Sequence, residues 1–232
     1  MGEACAYIHL MPAKPLPADP TLDEIRAALA PAIGRNAAFD GWSVAAVSAA
    51  AKEIGVDPDI AQLAYKDGAM AMIDGWIDSI DLEVAHRLPS EKLNAMKIRE
   101  RITTLLATRI DIMAPDREAL RRAMAVMAMP QNLAVAAKMG WRTADRNWRL
   151  AGDTATDFNH YTKRMTLSAV YASLLVVFVN DDSEDFVDSR TFLDRRIDNV
   201  MQFEKVKAQA KKRREYVPSL SRFIGRLRYP PR

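Results

Sequence analysis

Two pairings of a carboxylate with a histidine at i, i+3 are the first features of this sequence able to do chemistry: Glu83 with His86, and Asp157 with His160. On a helix that spacing puts both side chains on one face, and a bundle joining two such pairs to a carboxylate from each of two further helices can hold a di-iron centre. The further carboxylates have no matching pattern, because candidates such as Glu100 and Asp145 lie among charges expected to be solvated. No metal site is expected, and Glu83 and His86 read as surface residues near a helix end. Nucleophilic catalysis has no better footing. The one cysteine, Cys5, has no base beside it, and no G-x-S-x-G, phosphate-binding loop or dinucleotide glycine pattern occurs. The residue types point away from an enzyme and call for no cofactor.

What remains is a stretch suited to recognition. Residues 152–164 read G-D-T-A-T-D-F-N-H-Y-T-K-R and run directly into the mostly apolar segment 165–179. Thr154 and Thr156 can accept hydrogen bonds from the free N–H groups of a helix start, and Asp153 and Asp157 put negative charge at the positive end of its dipole. Phe158, His160 and Tyr161 add more aromatic surface than a cap requires, which implies packing or docking there. The apolar segment is interrupted by Ser168, Tyr171 and Ser173 and falls short of the roughly 20 residues that span a bilayer. It is expected to be a buried helix.

The elements that must position this stretch are helices. Thr21 and Glu24 have capping-box spacing, with Leu22, Ile25 and Leu29 as an apolar stripe ending before Pro31. Helices are expected over 43–54 and, after Gly55 and the Asp57-Pro58 start, through Tyr65, which is helix-turn-helix geometry. Further helices are expected over 68–88, 90–113, 117–129 and 130–150, and over 186–203 with Leu193, Ile197, Val200 and Met201 inward. Trp141 and Trp148, seven apart, fall on one side of their helix, with Arg142, Arg146 and Arg149 in solvent. No alternating strand pattern occurs, so the fold class is all-α.

Charge divides the chain. Residues 205–232 hold ten Lys or Arg against one acid, so they carry +9 and residues 1–204 carry −6. Within the basic segment, Leu220, Phe223, Ile224 and Leu227 fall at i, i+3, i+4, i+7, with Arg222, Arg226 and Arg228 off that stripe. An amphipathic helix with basic flanks is suited to an anionic membrane surface; an RNA-binding tail, or a helix docked on its own body, are the other readings. The expected organisation is a lead-in over 1–20, a helical body over 21–204 whose 21–65 part is a degenerate helix-turn-helix, and a basic linker with a membrane-binding helix over 205–232. The lead-in contains Glu3 and four prolines and lacks the basic start and apolar core of a secretory signal. With a single cysteine, the expected location is cytoplasmic and peripheral to the inner membrane, or the mitochondrial matrix side in a eukaryotic relative.

The 152–164 stretch, together with P-Q-N at 130–132, the Trp141 and Trp148 pair and F-L-D-R-R-I-D-N-V-M at 192–201, resembles the lipid-binding accessory family of ubiquinone biosynthesis. Many of its members carry Trp where this chain has His160 and again where it has Arg190. The resemblance implies a TetR-regulator-like helical fold and a non-catalytic protein that binds an isoprenoid quinone precursor. It implies as partners the membrane surface and the di-iron demethoxyubiquinone hydroxylase, admits a homodimer, and leaves out nucleic acid. It suggests a cavity lined by Leu167, Val170, Tyr171, Leu174 and Phe178, near one face of the apolar helix; an ordinary filled core explains the same residues. It also suggests a docking patch of Trp148, Asp157, Phe158, His160, Tyr161 and Arg164. The competing class is a TetR-type ligand-responsive transcription regulator. Between Asp40 and Tyr65, however, Lys52 faces Asp40, Glu53, Asp57 and Asp59, and an acidic reading head cannot release counterions from DNA.

Overall fold

The computed structural model describes residues 16–154, 156 and 158–216, with the side chains of Phe158 and of 203–216 left aside. Among the described residues all regular structure is helical. The first helix begins where its cap dictates: Thr21 Oγ1 accepts from the Glu24 N–H at 3.3 Å, and the Glu24 carboxylate accepts from the Thr21 N–H at 2.9 Å. Helix α1 (Leu22–Asp40) then runs straight through Pro31, which corrects the expected stop. An internal proline costs about 3 kcal/mol. Ala32, Ile33, Gly34 and Ala37 are buried beyond it, and that burial offsets the cost. Gly34 is required by its neighbour, because the Trp76 indole occupies the space a Cβ would need.

Helix α2 (Val44–Ile54) ends on Gly55 in the left-handed conformation. Asp57 accepts from the N–H groups of Asp59 at 2.8 Å and Ile60 at 3.3 Å to start α3 (Pro58–Ala64). Helix α4 (Ala69–Arg87) follows as expected. The single helix expected over 90–113 is instead two, α5 (Ser90–Asn94) and α6 (Ile98–Met113), with Lys97 extended between them. The break is satisfied by one side chain: the Arg101 guanidinium donates to the carbonyls of Asn94, Met96 and Ala151 at 3.2, 2.9 and 2.8 Å. Helices α7 (Arg117–Met127), α8 (Leu133–Leu150), α9 (Phe158–Phe178) and α10 (Val187–Tyr216) complete the described residues. The last outruns its expected end at Phe203, because Glu, Lys, Arg, Gln and Ala dominate the next turns and no proline intervenes before Pro218.

Helix α1 packs on α2, α3, α4 and α7, while α9 lies between α8 and α10, and α6 meets both α4 and α10. One core joins the two halves, with Leu29, Ile33 and Ile73 on one side and Leu105, Ile110, Leu174 and Phe178 on the other. Charge crosses it as well. Arg142 and Arg146, expected in solvent, pair with Asp74, Asp78 and Asp81, so α8 is bound to α4 by a ladder of ion pairs. Arg109, inside, pairs with Asp81 and donates to the Tyr171 hydroxyl at 3.0 Å. Burial alone would loosen its proton, but Tyr171 and Asp81 outweigh that and keep it charged.

The α9–α10 turn is organised by Asp181, whose carboxylate accepts from the N–H and hydroxyl of Ser183 and from the N–H and hydroxyl of Ser189. The Ser189 N–H belongs to the first turn of α10, where it would otherwise be an orphan. Burial pushes the Asp181 carboxyl up, yet the four hydrogen bonds prevail and hold it at about 2. A folded value below the unfolded one, about 3.9, makes the contribution complete above about pH 4 and lost as the pH falls towards 2. Asp181→Ala should accordingly cost about 2 kcal/mol at neutral pH. In urea melts its deficit against the unmodified chain should shrink between pH 4 and 2; a deficit independent of pH would show that the carboxylate is not what holds the turn.

Candidate functional site

The end of α8 and the start of α9 are joined through a buried cation. Arg164 is 1% exposed, and its guanidinium pairs with Asp145 of α8 and, at 3.1 Å, with Asp153 of the connecting loop. Burial works to raise the Asp145 carboxyl, but the hydrogen bonds and charges of Arg164 and Arg149 bring it below its usual range. The loop can turn there because Gly152 adopts φ 86°, a left-handed value that suits glycine immediately after a helix end. Asp153 also receives the Lys163 ammonium at 2.6 Å, and that ammonium stands over the Trp148 ring, 5.2 Å from its centroid. The Trp148 indole N–H in turn donates to the Lys163 carbonyl at 3.0 Å.

Two surfaces grow from this junction. The first is aromatic: Trp141, His160 and Tyr161 form a mutual cluster with ring centroids 5.2 to 6.5 Å apart. Tyr161 is 57% exposed, so the cluster opens to solvent. The second is a groove of about 490 Å³ between α6, α9 and α10. Its apolar wall is Ile98 and Ile102 from α6, Leu167 and Val170 from α9, and Ile197, Val200 and Met201 from α10. Its polar lining is Trp148, Asp153, Asn159, Thr162, Lys163 and Thr166 around the start of α9, with Arg99 on α6. Arg99 ties α10 to α6 across it, pairing with Asp198 at 2.6 Å and Asp194 at 4.0 Å.

The residues proposed for the cavity therefore separate. Leu167 and Val170 line the groove, whereas Leu174 and Phe178 are fully buried in the core and Tyr171 is engaged by Arg109. The groove lies nearer the start of α9 than the apolar composition suggested, because α10 crosses α9 there. Its α10 wall was foreshadowed by the inward Ile197, Val200 and Met201; Ile98, Ile102 and the Lys163–Asp153 pair carried no such signal. Of the residues proposed for docking, His160 and Tyr161 form the aromatic cluster with Trp141, while Trp148 turns to the groove and Arg164 is interior. Asp157 and the side chain of Phe158 lie outside the described residues, as do Leu220, Arg222, Phe223, Ile224, Arg226, Leu227, Arg228 and Cys5.

Helix α9 is not buried all round, as its composition suggested. Met165, Ala169, Ala172 and Val176 form an exposed apolar stripe at i, i+4, i+7, i+11. On α3, Ile60 and Leu63 are exposed and Asp57 serves as the cap, while Glu53 of α2 is paired with Arg35. Glu83 is paired with Arg87 at 2.6 Å. Among the described residues no three His, Cys, Asp or Glu side chains converge as metal ligands, and no helix is long and apolar enough to cross a membrane.

Residues 133–204, which carry α8, α9 and the first half of α10, match the family described as COQ9. Over 178 residues the chain is 28% identical to the mitochondrial ubiquinone biosynthesis protein COQ9 of Rattus norvegicus, a match covering 74% of this chain and 57% of the rat protein. The human protein of the same name is 26% identical, with 74% and 56% covered, and a probable mitochondrial coq9 from Dictyostelium discoideum is 27% identical, with 72% and 56% covered. The chain thus spans little more than half the length of these relatives. A TetR transcriptional regulator from Nitrosomonas europaea superposes with a TM-score of 0.58 at 20% identity, covering 77% of this chain and 97% of the regulator. By sequence this chain is similar to the COQ9 proteins, and by fold to the TetR regulators.

Proposed function

We propose that the chain is a non-catalytic accessory protein of ubiquinone biosynthesis that takes up an isoprenoid quinone precursor and presents it to the membrane-bound demethoxyubiquinone hydroxylase. The observation that carries this reading is the placing of two surfaces on the first turns of one helix. His160 and Tyr161 meet Trp141 in an exposed aromatic cluster, and Asn159, Thr162 and Lys163 of the same turns enter the groove. A partner seated on the aromatic cluster would stand beside the mouth of the groove, and aromatic side chains are the usual anchors of such contacts. The names of the similar proteins place them in ubiquinone biosynthesis and in mitochondria, which supports the substrate class and a matrix-side location. The exposed stripe of α9 offers apolar area to a second copy, consistent with a homodimer.

The regulator reading has the fold in its favour and the charge against it. The 40–65 segment holds Lys52 against four acids, and Asp57 and Asp59 stand at the N-terminus of α3, where a reading helix would meet phosphates and base edges. The basic residues that continue α10 to Tyr216 lie instead past the groove, where attraction to an anionic bilayer would bring the groove to the lipid.

Tyr161→Ala should weaken hydroxylase binding about thirtyfold, or about 2 kcal/mol, while lipid content and thermal midpoint hold. Val170→Trp should do the reverse, emptying the groove with the partner still bound; interferometry and lipid extraction read both arms, and equal losses in both arms of both variants would contradict two separate surfaces. Removal of residues 206–232 should abolish co-sedimentation with vesicles of anionic phospholipid and leave the helical circular dichroism of the body in place. Undiminished co-sedimentation would refute the membrane role of the tail.

A further inference from the structure

Resting on the reading of the groove as the lipid site, we infer that it recognises the ring end of its lipid and only about one isoprene unit of tail, with Lys163 as the residue that selects an oxygen-bearing ring. Size sets the first part. At roughly 25 Å³ for each bonded heavy atom, as when benzene fills a cavity of about 150 Å³, about 490 Å³ accommodates about twenty heavy atoms. A 2,3-dimethoxy-5-methyl-1,4-benzoquinone ring takes about thirteen of these, leaving room for about one five-carbon unit. A long polyprenyl chain does not fit, so the remainder of the tail stays outside the groove.

Polarity sets the orientation. Along α9 the lining passes from Asn159, Thr162, Lys163 and Thr166 to Leu167 and Val170. Because α9 and α10 form a hairpin, the later residues of α10 lie opposite the earlier residues of α9, and the polar end is the end from which α10 continues towards Tyr216. Hydrocarbon packed against this end would strip water from an ammonium and return nothing to it.

Charge selects the ring. Among the described residues Asp153 is shared between Lys163 and Arg164, and Asp145 between Arg164 and Arg149, so each carboxylate at the junction is divided between two cations. The Lys163 ammonium has three N–H donors, and among the described residues Asp153 takes one. Asp153 and the Trp148 ring position the ammonium, so a ligand oxygen entering the groove meets a donor already in place. A quinone carbonyl or a phenol oxygen supplies the acceptor, and the flat Trp148 wall suits a planar ring.

The test uses the full chain in detergent micelles, titrated calorimetrically with 2,3-dimethoxy-5-methyl-1,4-benzoquinones carrying no, one, two or three isoprene units, and with prenyl alcohols of the same lengths. Affinity should rise with the first isoprene unit and stay level after it, and the ring-free alcohols should bind about tenfold more weakly. Lys163→Met, which keeps the stem, should weaken the ring-bearing ligands about tenfold and leave the alcohols unchanged, while Lys163→Arg restores most of the loss. Affinity that climbs with every isoprene unit, or a Lys163→Met effect equal for quinones and alcohols, would overturn the inference while leaving a lipid site standing. Failure of every probe to bind the unmodified chain would remove both the inference and the lipid reading beneath it.

Discussion

A guanidinium can stand inside a protein only where carboxylates come in with it, and Arg164 is the point at which this structure accepts that condition. Its pairing with Asp145 and Asp153 binds the last turns of α8, the connecting loop and the second turn of α9 into one unit. Removing either partner of such a buried pair typically costs about 3–5 kcal/mol, because the survivor is left charged and dry. The proposed docking cluster and the polar part of the groove both hang on that unit. The residue before Arg164 reaches the groove, Lys163 above Trp148; His160 and Tyr161, on the preceding turn, reach the surface with Trp141.

A second buried cation does comparable service in the middle of the molecule. Arg109 on α6 joins Asp81 of α4 to Tyr171 of α9, and the ion pairs of Arg142 and Arg146 run alongside it. These contacts couple α4 to the α8–α10 half. The α2–α3 segment is acidic, with its cap and one ion pair consuming Asp57 and Glu53, and a surface of that sign does not attract phosphates.

Local chemistry made much of the fold readable. The Thr21–Glu24 box, the left-handed Gly55 and the Asp57-Pro58 start act within a few residues, so the sequence displays both partners at once. What it could not display were contacts whose partners lie far along the chain. The break before α6 depends on Arg101 reaching the Ala151 carbonyl; α1 survives Pro31 because Trp76 and other neighbours cover its second half; and Arg164 looks like any helical surface arginine until Asp145 is placed beside it. The groove was half legible for the same reason. The apolar face of α9 is evident in sequence, but which of its turns faces space and which faces core is decided by where α10 crosses, and Leu174 and Phe178 fell on the filled side.

The central claim is that the groove between α6, α9 and α10 is where lipid resides. The most direct test is photolabelling of the full chain with a short-tailed benzoquinone bearing a diazirine on its first isoprene unit, followed by mapping of the labelled peptides by mass spectrometry. The account predicts label confined to 98–102, 162–170 and 197–201, and its loss when unlabelled quinone is added in excess. Label that concentrates instead in α1 to α4, or that excess quinone fails to displace, would contradict it.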